Sequence, residues 1–584
     1  MASVPAPPAT ASSEFRDYLA RDWRQWLEQA PPLATMFGVP GWNDRWTDDS
    51  AAGISARRQH LAEAVGKLDR FERSTLAPGD LVHYDLYRQL LVGAEEGLAF
   101  GFDPAPFRNS WPGSLRMPVT QMSGVQFDVA EIAEIQPRAS VRDFEDLLRR
   151  HETFPVCVDN NLELLDEGRR LGYTPPRITL VGVPDQIAAQ LTGDPLASAA
   201  LAPFKDFPAS VSAADRERLT ARAIETYRGR VVPALAKLRT YLETVYIPGA
   251  RETVAATALP DGVALYQYLV RWQTTIDVTP QQVHELGLAE VRRIRAEMDA
   301  LIRSTGFAGT FAEFNQFIRT DPQFFYRTSE ELLDGYRVIA KKIDPALSRL
   351  FGRLPRLPYG VIPVPDYRAP TSPTAYYLPG APAAGRPGNF YANLFKVESR
   401  AKWEMEALTL HEAVPGHHLQ IALMQEEEEL PEFRRQTWFT AFTEGWGLYA
   451  ESLGEELGLY RDPYSKFGQL SYDMWRAIRL VVDTGMHALG WSREQAIRFF
   501  RENSGASDLN IQVEVDRYLV VPAQALAYKI GQLKIRELRT LAEHELGDRF
   551  DTRAFHDVVL HQGSVPLGLL EDAVRRWIDG QRAG

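Results

Sequence analysis

Between Thr409 and Gln420 the chain reads Thr-Leu-His-Glu-Ala-Val-Pro-Gly-His-His-Leu-Gln, an apolar helical stretch interrupted by a Pro–Gly pair. Pro415 removes an amide donor and clashes with the preceding turn, and Gly416 tolerates dihedrals that other residues avoid. A helix entering from Ser399 must therefore bulge or break here, and histidines stand on both sides of the interruption: His411 beside Glu412 before it, His417 and His418 after it. Two adjacent histidines next to Pro–Gly have little packing rationale.

Their spacing suggests a metal. In the His-Glu-x-x-His motif two histidines four apart share a helix face and one ion, while the neighbouring Glu aims at the metal-bound water. Here proline occupies the place of the second histidine, and a straight helix would leave His411 and His418 about 10 Å apart along its axis. Only a bulge or break restores a second ligand. His417 requires the smaller excursion, and His418 is the alternative. A third ligand is expected from a second helix, where Thr-Ala-Phe-Thr-Glu-Gly-Trp-Gly-Leu-Tyr-Ala-Glu is apolar nearly all round and carries Glu444. A buried carboxylate is costly unless paired or metal-bound. Gly445 and Gly447 would permit close approach to the motif helix, and Glu451 is a candidate acceptor for a ligand histidine. By contrast, the His-Glu pair at His284 has no second histidine after it and reads as structural.

A single cysteine, Cys157, excludes a disulfide framework and a multi-thiolate site. Nitrogen and oxygen ligands suit zinc, with manganese or cobalt as alternatives. The formal charge of −12, from 77 acids against 65 bases with no Lys/Arg-dense block, argues against nucleic acid as a partner. No apolar run approaches the ~18 residues a membrane span needs. Residues 1–12 are small and proline-rich and are expected to be disordered. Lacking a basic and then apolar leader, they suggest a cytoplasmic protein unless a leader has been removed.

Periodicity predicts helices over Ser13–Ala30 and Ala51–Glu72, and a capped helix after Thr279, with Pro280 at N1, Gln282 at N3 and Val291, Ile294, Met298 and Leu301 on one face. The proline-dense segment Arg353–Gly388 suits an ordered loop with extended pieces. It leads into a short strand at Asn389–Phe395, whose Tyr391 and Asn393 could offer an edge to a peptide. The acidic run Glu426–Glu429 reads as a solvated helix end. The expected fold is mainly α, with two helical lobes around a deep cleft and a small β-sheet beside the active site. Residues 13–270 would form mainly the N-terminal lobe and 271–584 the metal-bearing region, within one catalytic unit.

Five segments, HEAVPGHHLQ, FTEGWGLYAE, RLVVDTGMHALGWSREQA, PAQALAYKIGQLKIRELR and QGSVPLGLLE, resemble the bacterial family catalogued as domain of unknown function 885. That family is distantly similar to mostly helical, deep-cleft zinc peptidases with a glutamate third ligand, such as oligopeptidases and carboxypeptidases. The resemblance implies a zinc-dependent peptidase of short peptides, of carboxypeptidase or dipeptidase type, with Glu412 as general base. It also implies an oxyanion donor from the C-terminal part of the chain, for which Tyr528 is the first choice and Tyr518, Arg517 and His487 the reserves. Arg479, Arg517 and Lys529 are the candidates for holding a substrate carboxylate. Competing expectations are a catalytically silent peptide-binding protein, against which an intact Glu412 speaks, and a metal-dependent amidohydrolase acting on a non-peptide amide.

Overall fold

The computed structural model describes residues 9–108, 114–365, 369, 372–382 and 385–583. Residues 1–8 of the expected disordered N-terminus lie outside them, and from Ala9 the chain is already helical. The described residues form a mainly α fold with one small sheet, divided into two compact units: residues 1–265 with 431–433, and residues 266–430 with 434–584.

The first unit opens with helices Ala9–Gln29 and Ala51–Leu68, the second capped by the Ser50 hydroxyl, which accepts the Gly53 amide at 3.2 Å. Its long helix, Val141–Arg170, starts at a reciprocal Ser140/Asp143 capping box. That helix buries Phe144, Leu147, Leu148, Phe154 and Val158 against Leu235, Leu238 and Leu242.

The second unit carries every residue singled out above for chemistry. Among its helices, those that carry or support the site are α1 (Pro280–Ser304), α2 (Met405–Glu412), α3 (His417–Glu426), α4 (Thr440–Ser452), α5 (Pro463–Ala488), α6 (Asp508–Val520) and α7 (Ala527–Leu546). The expected Thr279/Gln282 capping box starts α1, which buries Val291, Ile294, Met298 and, in place of Leu301, Ile302. His284 is structural: its Nδ1 meets the Val481 carbonyl at 3.1 Å and the Thr484 hydroxyl at 3.0 Å on α5.

Out of the proline-dense segment come β1 (Tyr359–Pro363) and β2 (Ala375–Leu378), which flank β3 (Gly388–Ala392) in the order β1-β3-β2. β3 runs parallel to β1 and antiparallel to β2. The strand expected to offer an edge is therefore the central one, with both sides already hydrogen-bonded. Two glutamates of the acidic run are also not solvated. Glu426 accepts the backbone amides of Arg356 and Leu357, each at 2.8 Å, and Glu427 pairs with Arg353 at 2.7 Å and His561 at 2.9 Å. These acids anchor the stretch that leads into β1.

Candidate metal centre

At the Pro–Gly interruption the helix breaks outright. α2 ends at Glu412, Ala413 takes φ −98°, ψ −113°, Gly416 takes φ −74°, ψ −131°, and α3 starts at His417. The Trp446 indole N–H of α4 donates to the Pro415 carbonyl at 2.8 Å, fixing the path of the turn. The break brings the imidazoles of His411 and His417 to 4.7 Å between ring centroids, nearly perpendicular.

Glu444 faces both rings. Every residue from Ala441 to Glu451 is buried except Glu444, which keeps 21% of its side chain exposed. Its Oε2 lies 3.5 Å from His411 Nε2 and 3.4 Å from His417 Nε2. Both separations exceed the usual 2.7–3.2 Å of an N–H···O bond. Glu444 Oε2 and His417 Nδ1 are buried without a hydrogen-bond partner. One ligand atom from each of His411, His417 and Glu444 lies within 4.8 Å of the others, so the three can share one ion.

The other nitrogen of His411, Nδ1, donates to Glu451 Oε1 at 2.8 Å, and Arg476 Nη2 lies 3.5 Å from the same oxygen. Burial works against a proton on His411, but the Glu444 and Glu451 carboxylates outweigh it and push the imidazole up to about 9. Burial likewise opposes ionisation of Glu444, yet the two facing imidazoles hold its carboxyl well below the usual range. Glu412, at the end of α2, is half-buried and has no hydrogen-bond or ion-pair partner among the described residues.

Glycines set the spacing. A Cβ on Gly447 would stand 2.8 Å from His411 Cε1, so Gly447 does make room for the motif helix. Gly445 does not. Its Cβ would meet the Gly531 backbone at 2.5 Å, and it serves the contact between α4 and α7.

Several expected site residues are placed elsewhere. His418 stands outside the cluster, with both ring nitrogens engaged: its Nε2–H donates to the Leu357 carbonyl at 3.1 Å and its Nδ1 accepts the Tyr377 hydroxyl at 2.9 Å. Burial, partly offset by the Leu357 carbonyl, pushes it down to about 4 and keeps it neutral. His487 is fully buried, with Nε2 at 3.0 Å from the Tyr518 carbonyl, which ties α5 to α6 instead of reaching a substrate. The Tyr518 hydroxyl is consumed, donating to Glu514 at 2.7 Å and accepting from Arg479 Nε at 3.0 Å. Lys529 spends its three protons on Asp473 at 2.7 Å, Gln532 at 2.9 Å and Glu290 at 2.9 Å, with no exposed side chain left to meet a ligand. Asn393 bonds the carbonyls of Ala369, Ser372 and Pro373 at 2.8–3.0 Å and so staples the loop before β2. Tyr391 stacks on Tyr376 of β2 at 4.8 Å.

Tyr528 feels the charge of the cluster, and Arg479 lies beside Tyr528. The negative charge of Glu444 adds to burial in raising the Tyr528 hydroxyl, which places that hydroxyl within the cluster's field. Its ring lies 4.5 Å from the Arg479 guanidinium and 5.9 Å from that of Arg476. Arg476 escaped the sequence reading. The signal available was its position one turn before Arg479 on a helix otherwise buried along most of its length.

Fold and cluster together define a mainly helical protein with a candidate two-histidine, one-glutamate metal centre. Residues 31–574 match the family described as bacterial protein of unknown function (DUF885), and the chain belongs to it. Among solved structures it is similar to a provisionally designated lipoprotein from Colwellia psychrerythraea, at 28% identity and a TM-score of 0.90 over 98% of this chain and 99% of that one. A second such protein, of unknown function, from Shewanella oneidensis, shares the fold at 17% identity and a TM-score of 0.70, covering 95% and 98% of the two chains. No curated protein matches the chain.

Proposed function

We propose that this chain is a metal-dependent peptidase acting on short peptides, with His411, His417 and Glu444 as ligands for zinc, or alternatively manganese or cobalt. One observation carries the reading. Donor atoms about 2.1 Å from a tetrahedral ion stand about 3.4 Å from one another. The two separations to Glu444 Oε2 are 3.4 and 3.5 Å, too long for good hydrogen bonds and the right length for edges of that polyhedron. The unpartnered Glu444 Oε2 fits the same reading, as does the Glu451 carboxylate behind His411, since ligand histidines usually donate their second nitrogen to such a group.

An ion held there would supply Lewis acidity and would lower the pKa of its water towards about 7. The chain's own residues do the rest. Glu412, without a hydrogen-bond or ion-pair partner among the described residues, takes the proton from the attacking water and returns it to the leaving nitrogen. Glu451 keeps His411 Nε2 facing Glu444. The Tyr528 hydroxyl donates to the carbonyl oxygen as it gains charge. A silent peptide-binding protein would have no use for an unpaired, half-buried carboxylate next to a ligand histidine. The relatives' lipoprotein designation points away from the cytoplasm expected from the N-terminus, and the chemistry does not depend on the compartment.

The test is elemental analysis of zinc-reconstituted wild type and of His411→Ala, His417→Ala and Glu444→Ala, each with digestion of a mixed short-peptide pool and of non-peptide amides. Near-stoichiometric metal lost in all three variants, with peptides cleaved by wild type, is the expected result. No retained zinc, manganese or cobalt would end the reading, and cleavage confined to non-peptide amides would turn it into an amidohydrolase.

A further inference from the structure

Building on the peptidase reading, we propose that Arg479 receives the free α-carboxylate at the C-terminus of the substrate, so that the substrates are peptides with an unblocked C-terminus. Of the three cations that the sequence offered for this task, Lys529 has no proton to spare. Arg517 spends Nη1 on Gln524 at 2.8 Å and Nε and Nη2 on Glu514. Arg479 differs. Its Nε donates to Tyr518 and its Nη2 to Glu514 at 3.1 Å, but its Nη1 is buried without a hydrogen-bond partner, on a side chain only 8% exposed. Glu514 serves both arginines, so the group formed by Arg479, Arg517 and Glu514 carries one positive charge in excess.

A buried guanidinium with a spare donor and surplus charge is the chemistry that recognises a carboxylate. Its place suits a substrate group. The Tyr528 ring has two guanidiniums within 6 Å of its centre: Arg476, at 5.9 Å, leads back through Glu451 to His411, and Arg479, at 4.5 Å, carries the spare donor. An anion on Nη1 would therefore sit beside the residue proposed to stabilise the oxyanion, which places the scissile bond near the chain end.

The experiment compares peptides identical except for a C-terminal acid or amide. Calorimetry on chelator-treated wild type should show the acid binding about 10- to 100-fold more tightly than the amide, the range of a charge-assisted hydrogen bond. With zinc restored, kcat/KM should favour the acid by at least as much. Arg479→Gln should bring acid binding down to that of the amide. Equal binding of acid and amide by wild type overturns the proposal without reference to any variant's folding, as does an Arg479→Gln protein that keeps the full preference. Because the binding arm needs neither metal nor turnover, an acid preference in a protein that cleaves nothing would support this subsite while ending the peptidase reading.

Discussion

Gly447→Ala tests whether His411 is held where an ion needs it. The added Cβ would stand 2.8 Å from Cε1, 3.0 Å from Nε2 and 3.1 Å from Nδ1 of His411. Non-bonded carbons settle near 3.5 Å, so the ring must retreat by roughly 0.7 Å or more. It cannot do so freely, because Nδ1 is tied to Glu451 at 2.8 Å. Metal–ligand distances tolerate only about 0.2 Å, and disturbing the support of a ligand typically costs about 10- to 100-fold in affinity. Alanine is meanwhile a better helix former than glycine by about 1 kcal/mol, which favours a folded variant. Competition with a chromophoric chelator should therefore show zinc affinity down by one to two orders of magnitude, with chemical denaturation of the metal-free protein little changed. Wild-type affinity in Gly447→Ala would refute the assignment of His411. Gly445→Ala is the counterpart: its clash with the Gly531 backbone should lower the stability of the metal-free protein itself.

His418→Ala should keep its zinc, since both ring nitrogens serve Tyr377 and Leu357, whereas His417→Ala should lose it; elemental analysis of the pair decides. In the metal-free protein His411 lies at about 9 against an ordinary 6.5, so below pH 9 an ion must displace its proton, and affinity measured by competition should rise about tenfold per pH unit up to 9 and then level off. The same raised value stabilises the metal-free fold fully below about pH 6.5, and denaturation midpoints should fall as pH climbs through 9. Tyr528→Phe should retain metal but lower kcat about 100-fold in a peptide assay, the usual loss for an oxyanion donor. Lys529→Met leaves Asp473 and Glu290 short of their buried partner and should cost about 3 kcal/mol in urea denaturation, without selective loss of metal.

What the sequence made legible was local. His411, Glu412, Glu444 and Glu451 could be named because each sits in an apolar helix where its residue type is hard to explain by packing. The choice between His417 and His418 was open because it turns on the dihedrals of Ala413 and Gly416, which composition does not report. Lys529, Tyr518 and Asn393 looked available because at least one partner of each (Asp473, Arg479 and the Ala369 carbonyl) is remote in sequence or sits in irregular chain, although Glu514 lies only one turn from Tyr518. Asp473 lies 56 residues before Lys529, and the carbonyls that hold Asn393 belong to a proline-rich loop. Strand order was hidden for the same reason: β1 and β2 emerge from a segment whose prolines read as loop, so β3 seemed an edge.

The contact between Gly445 and Gly531 has a mechanical meaning. α4 carries Glu444 and Glu451, α7 carries Tyr528, and the two helices meet backbone to backbone with no side chain between them to change rotamer. The gap between the carboxylate and the phenol is thus set by a rigid gauge, to which a substrate of the proposed reaction would have to conform. The gauge also works in reverse. Whatever grips Glu444 grips the helix pair, so by reciprocity of binding and folding a bound ion would brace the core of the second unit far beyond its own ligands.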